Sequence, residues 1–304
     1  MNARRLCSSA RRGVARRNRV RTVSAVLFLA VVFAADLHAS DTARQILDRQ
    51  RALDQTSRRW TDRHEQLRME VRDPPRSPRE LVVDLFDKKF ADRQQRTMAY
   101  FSVPDMVKGT AFFAVTRPDG PADQWLYLPE AKRARRIGGE LRKQGFVGTD
   151  FTYHDLDLLA EMPSWSEATA SSALRGEERI DDVPCYVIEL TPRREDIGYQ
   201  RIVVWLGRED LVARRVDFFD TAPASGWFGF GAAASDGLPT RRFHQSDVRV
   251  IGSIPVAYRA EVETPSAGSR TIVTFTHVAF DQDLPDELFS QSAMDWGSFA
   301  PAAH

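Results

Sequence analysis

What most narrows the folds open to this chain is a period of two that recurs along most of its length. Leu67, Met69 and Val71 alternate with Arg68, Glu70 and Arg72. Leu81, Val83 and Leu85 share one face of the next such segment, and Met98 and Tyr100 share one face of a third. Further runs of this kind lie at 110–116, 123–128, 133–137, 172–180, 184–192, 199–207, 211–219, 240–250, 255–264 and 270–281. Successive side chains of a strand point to opposite faces, so alternation of this kind predicts half-buried strands rather than helices. Turn formers separate the runs: Pro74-Pro75, Pro118-Asp119-Gly120, Asp181-Asp182 and Gly207. About a dozen short strands joined by tight turns predict an antiparallel sheet, sandwich or barrel.

Helical spacing is confined to a few places. Ser40, Asp41 and Thr42 are capable N-caps, and Ala43, Ile46, Leu47 and Leu53 follow at near-helical intervals, predicting a helix at about 41–56. Thr152 and Asp155 stand at capping-box spacing before Leu156, Leu158 and Leu159, predicting a helix near 152–160. Pro285-Asp286-Glu287-Leu288-Phe289 reads as a single helical turn.

The first 39 residues have a different character. Eight arginines precede an apolar run from Val23 to Ala35, and Leu37-His38-Ala39 ends in a small residue before Ser40. A basic head, a short apolar middle and a small-residue end make a secretory signal peptide over 1–39, leaving one domain over 40–304. The run of about 13 residues is shorter than the roughly 20 needed to span a bilayer, which argues against an uncleaved anchor. This leader holds 8 Arg and 1 Asp of the chain's 43 basic and 42 acidic residues, so the remainder carries about six more acidic than basic groups. That balance lacks the basic footprint of a nucleic-acid binder. Cys185 is the one cysteine beyond the leader, so no internal disulfide is expected and stability must come from a core.

Catalytic constellations are missing from the sequence. There is no G-x-S-x-G, H-E-x-x-H or paired C-x-x-C, and His64, His154, His244, His277 and His304 are scattered. No catalytic residue, metal or cofactor is therefore expected. Cys185 reads as a small buried hydrophobe, and Asp181-Asp182 as a two-residue turn, because Asp tolerates the left-handed conformation. Two surface features are candidates for contact. Lys132, Arg133, Arg135 and Arg136, followed by Arg142 and Lys143, form a basic patch suited to lipid phosphates or an acidic partner, the alternative being a solvated hairpin. Trp227, Phe228 and Phe230 sit among glycines in a Gly-, Ala- and Ser-rich stretch at 222–238. They suit a tip that touches a membrane or partner, the alternative being a loop folded back over the sheet or into a cavity.

Several segments resemble, in order, the outer-membrane lipoprotein-sorting proteins, relatives of the periplasmic lipoprotein carrier LolA. The signature runs through Gln124-Trp125-Leu126-Tyr127-Leu128-Pro129, Lys132-Arg133-Ala134-Arg135-Arg136-Ile137 and Gly148-Thr149-Asp150-Phe151-Thr152-Tyr153-His154-Asp155-Leu156. Ala43, Ile46 and Leu47 match the first helix, Cys185 to Leu190 a middle strand, and Leu284 to Phe289 the closing turn. The resemblance covers nearly all of 41–292. Two departures stand out: Asp182 replaces the expected turn glycine, and 222–238 is longer and more aromatic than the expected polar turn.

The resemblance implies an incomplete β-barrel, a strongly curved antiparallel sheet whose hollow side is covered by helices and holds acyl chains. The expected lining is Leu67, Met69, Leu81, Val83, Leu85, Met98, Tyr100, Phe113, Trp125 and Tyr127, with the choice of concave face inferred strand by strand. The function so implied is that of a periplasmic carrier moving a lipoprotein or lipid towards the outer membrane. Its implied partners are an inner-membrane transporter and an outer-membrane acceptor, with transient membrane contact. The alternative is an envelope-stress sensor or regulatory lipid-binding module on the same fold. An envelope hydrolase is disfavoured by the lack of a nucleophile.

Overall fold

In the computed structural model, which describes residues 42–117, 120–220 and 237–295, the alternating segments become one antiparallel sheet of thirteen strands. The predicted leader and almost all of the aromatic stretch, with Trp227, Phe228 and Phe230, lie outside the described residues. A first helix, α1, occupies 42–55. Six strands follow as a meander: β1 (Asp62–Arg72), β2 (Arg79–Lys89), β3 (Gln95–Val103), β4 (Ala111–Arg117), β5 (Gly120–Leu128) and β6 (Arg133–Ile137). A connecting segment carries α2 (Tyr153–Glu161). Seven strands then form a second meander: β7 (Ala170–Ile180), β8 (Val183–Pro192), β9 (Tyr199–Gly207), β10 (Ala213–Asp220), β11 (Arg241–Ile251), β12 (Ile254–Thr264) and β13 (Ser269–Phe280).

The strand order β6-β5-β4-β3-β2-β1-β13-β12-β11-β10-β9-β8-β7 joins the two meanders along the β1–β13 seam, where Leu67 faces Phe275 and Met69 faces Val273. The consecutive strands β6 and β7 therefore lie at opposite edges of an open sheet. Their connection must cross from edge to edge, and it does so over the hollow face, carrying α2 with it. The sheet is not closed into a barrel, which agrees with the expected architecture.

Turn chemistry matches the residues. At the β7–β8 hairpin Ile180 pairs with Val183, and Asp181 and Asp182 both adopt positive φ, 46° and 65°. That is the geometry a two-residue hairpin turn requires, so Asp182 serves where glycine is the commoner choice. Cys185 is fully buried on the outer face among Val187, Val203 and Trp205. Burial pushes its thiol pKa up, which suits a packing role.

Two cores lie on the hollow side. The first gathers Leu67, Met69, Val83, Phe101 and Phe112 from the first meander with Phe146, Phe151 and Tyr153 of the connection and Val262 and Val273 of the second meander. The second gathers Ile188, Leu190, Ile202, Val204, Val216 and Phe218 of the second meander with Ala43 and Ile46 of α1 and Leu158 of α2. A third core lies on the outer face of the first meander. There Met98, Tyr100, Phe113 and Tyr127 pack against Leu288, Phe289, Ala293 and Met294 of the chain's closing turns.

Candidate functional site

The inner faces of the two meanders, roofed by the helices, enclose a cavity of about 830 Å³, towards the upper end of the roughly 300–1,000 Å³ usual for small-molecule sites. Its first wall is made by in-phase residues of neighbouring strands. Leu67 pairs with Val83, Glu65 with Leu85, and Leu85 with Ala99, which in turn faces Phe112. Val273, Ala260 and Gln245 continue that row across the seam, and Phe243, Val216 and Val204 line the second meander's wall. Leu47 of α1 and Leu156, Leu159 and Trp165 from α2 and the turn after it complete the roof.

The signature residues of the connection hold that roof in place. Thr152 caps α2, its side chain accepting from the Asp155 backbone N–H at 3.0 Å, while Asp155 Oδ2 accepts from the Thr152 N–H at 2.8 Å. The same carboxylate reaches the second meander, accepting from Tyr199 Oη at 2.6 Å and Arg241 Nε at 3.0 Å. Asp150 accepts from the hydroxyls of Thr264, Ser269 and Thr271, tying the approach to the helix onto β12 and β13. On the other side, fully buried Gln124 of β5 donates to Tyr153 O at 2.9 Å and Asp157 Oδ1 at 2.6 Å, and Arg142 pairs with Asp157. The helix is thus latched to both meanders. By contrast, two side-chain hydrogen bonds that hold α1 and the turn after it to the rest of the chain end on backbone carbonyls. Arg51 donates to Trp165 O and Arg58 to Asp210 O, both at 2.5 Å.

One end of the cavity is polar. Arg63 and Glu65 occupy the same face of β1 as Leu67 and Met69, and Asp87 and Lys89 the same face of β2 as Val83 and Leu85. Arg63 donates to Asp87 Oδ2 from Nη2 at 2.6 Å, and Gln95 and Thr97 donate to Asp87 Oδ1 at 3.1 and 2.5 Å. Glu65 lies 3.4 Å from Arg63 Nη1. Burial drives the Glu65 carboxyl up to about 7 against the opposing pull of Arg63, and the charge of Asp87 adds to the rise. Lys89 Nζ sits 3.8 Å from the ring centre of Trp60 at the rim.

Four of the expected lining residues, Leu67, Met69, Val83 and Leu85, face the cavity. Leu81 shares their face and is fully buried in the first core. The other five require correction. Met98, Tyr100, Phe113, Trp125 and Tyr127 point to the outer face, where they meet the closing turns; Tyr100 Oη donates to Ala293 O at 2.5 Å. The inner positions of these strands belong instead to Thr97, Ala99, Phe112, Ala114 and Gln124. The basic patch sits away from the cavity. Lys132 lies in the β5–β6 turn and Arg133, Arg135 and Arg136 on the edge strand β6, exposed, with Arg136 paired to Asp123. The polar end escaped the sequence reading, although Arg63 and Glu65 standing in phase with Leu67 and Met69 carried its signal. Among the described residues no cluster of side chains suits a metal ion, and no helix is long and apolar enough to cross a membrane.

The fold is that of known proteins. A DUF1329 family protein from Desulfovibrio piger superposes with a TM-score of 0.72 at 23% identity, covering 84% of this chain and 99% of that one. A domain from Vibrio parahaemolyticus described as an outer membrane lipoprotein-sorting protein gives 0.71 at 21% identity, with the same coverage. A LolA superfamily protein from Nitrosomonas europaea gives 0.57 at 16% identity over 83% of this chain and 98% of that one. A family model described as "Uncharacterized protein" matches residues 93–225. Comparison with curated proteins finds no match.

Proposed function

We propose that the protein is a periplasmic carrier that shields the alkyl part of a lipid or lipoprotein in the cavity between the two meanders and carries it towards the outer membrane. The observation that supports this reading is the cavity itself: a space of about 830 Å³ in the curved sheet, with an apolar wall and a polar end, roofed by helices, in the fold it shares with a lipoprotein-sorting domain and a LolA superfamily protein. Removing apolar surface from water contributes roughly 25 cal/mol per Å², so sheltering one acyl chain supplies several kcal/mol without any covalent step. Binding is then reversible, and release needs a membrane or receptor that offers the chain an equally apolar home.

The unequal attachment of the two roof helices gives the route. With α2 latched to both walls through Asp155 and Gln124, α1, held through Arg51 and Arg58 to backbone carbonyls, is the element whose displacement uncovers the cavity. Loading is a movement of α1 over a sheet that keeps its pairing.

Two measurements test the carrier reading. Mass spectrometry of the gently purified protein should detect co-purified lipid. The Val83→Arg variant puts an unpaired charge on the cavity wall and should lose that lipid while its far-UV circular dichroism stays that of the parent. Equal lipid content in parent and folded variant would sink the assignment.

A further inference from the structure

Building on the carrier reading, we propose that Glu65 is the head-group acceptor of the cavity and that the preferred cargo is an amphiphile with an ammonium group at its polar end. The argument is a count of donors. Two carboxylates, Glu65 and Asp87, each no more than 3% exposed, face a single guanidinium, that of Arg63. Asp87 takes most of what is available: Arg63 Nη2 at 2.6 Å and Nε at 3.3 Å, Gln95 Nε2 at 3.1 Å and Thr97 Oγ1 at 2.5 Å. Glu65 receives no hydrogen bond from a described residue, and its contact with Arg63 Nη1, at 3.4 Å, is too long for a good one. Asp87 is thus held by several donors, while Glu65 has the longer ion pair with Arg63.

Position makes the deficit useful. Glu65 is directly paired with Leu85 and lies two residues from Leu67 on the same face, at the boundary where the apolar wall becomes polar. An alkyl chain lying along Leu67, Val83 and Leu85 brings the first atoms of its head to this carboxylate. An N–H donor with a positive charge supplies a hydrogen bond and a counter-charge that Glu65 need not share with Asp87. A carboxylate head would instead bring a third negative group against one arginine. Of the other cations lining the cavity, Lys89 lies over Trp60, Arg44 lies beside Asp48, and Arg51 and Arg58 donate to backbone carbonyls. His64 points to the opposite face, stacked on Phe86 with ring centres 4.4 Å apart. Burial, with the charge of Asp87 beside it, holds the Glu65 carboxyl up to about 7 against the pull of Arg63.

Three probes of one chain length separate the head from the tail: decylammonium, decanol and decanoate, each titrated calorimetrically below its micelle concentration into the full chain at pH 8. Decylammonium should bind at least tenfold more tightly than decanol, and decanoate more weakly than either. In Glu65→Gln the ammonium preference should vanish while decanol affinity stays within about twofold. Equal affinities for decylammonium and decanol in the parent protein would overturn the proposal without using the variant. So would an ammonium preference that survives in a Glu65→Gln protein whose circular dichroism matches the parent. Failure of all three probes to bind would overturn the carrier reading, and this proposal with it.

Discussion

The two meanders dispose of their outer faces differently. In the first, Met98, Tyr100 and Phe113 are sealed beneath Leu288, Phe289 and Met294, so β3 and β4 are buried on both sides. In the second, the outer aromatics lie under arginines: the Arg201 guanidinium is 3.9 Å from the ring centre of Phe219, and that of Arg215 is 4.4 Å from Trp205. A dry apolar seam and a set of stacked cations both keep water from a sheet, but they differ in strength and in the trace they leave in the sequence.

The largest effect expected from this contrast is in the closing turns. Phe289 is 1% exposed and meets Phe90 edge-on at 5.9 Å. Phe289→Ala should lower the free energy of unfolding by about 3–5 kcal/mol, read from urea denaturation. A loss below about 1 kcal/mol would mean that the outer core is not a structural seal.

The inner walls differ as well, because the charged end belongs to the first meander while Val204 and Val216 face the cavity from the second. Glu65 has a folded-state pKa of about 7, raised from an ordinary value of 4.5. The folded state therefore holds a proton that the unfolded state releases, and stability is highest below pH 4.5 for this group and falls as pH rises through 7. The span corresponds to about 3 kcal/mol. Urea midpoints should drop between pH 5 and pH 8 in the parent and much less in Glu65→Gln; parallel pH profiles would show that Glu65 does not carry the dependence. The smallest effect is on the other side of the comparison. Arg201→Ala removes a part-exposed cation–π contact with Phe219 and a 3.7 Å ion pair with Glu189, and should cost about 1 kcal/mol or less; a loss as large as that for Phe289→Ala would erase the distinction.

The same contrast explains what the sequence revealed. Strand positions, the capping box at Thr152 and Asp155 and the turn at Asp181-Asp182 are local matters, written in neighbouring residues, and the structure has them where the spacing puts them. The inner face of β1 and β2 was readable because polar residues such as Arg68, Glu70 and Asp84 mark the other side. In β3 and β4 the marks disappear: Met98-Ala99-Tyr100-Phe101 and Ala111-Phe112-Phe113-Ala114-Val115 are apolar at every position. A strand covered on both faces has no period to read, and the larger side chains, which suggested a greasy lining, fill the outer seal. Where the closing turn docks is a long-range fact that no local pattern holds. The charged end is different: Arg63 and Glu65 are in phase with Leu67 and Met69, but charge on a strand is ordinarily solvent-facing, and no local mark shows that these residues turn inward.

The seam between the meanders has a consequence for how the molecule is made. Among the described residues β1 is the first strand and β13 the last, yet they are neighbours at the centre of the sheet, pairing residues such as Met69 and Val273. A chain emerging from its N-terminus can zip β1 to β6 early, by short hairpins that close quickly. The far edge of β1 then waits, its N–H and C=O groups unpaired, until nearly all of the remaining sheet has appeared. Pairings of such long sequence separation form slowly, and an open edge invites association with other chains. The completed sheet therefore stands or falls on its final strand, and a nascent chain stalled before β13 would be the species most in need of a chaperone.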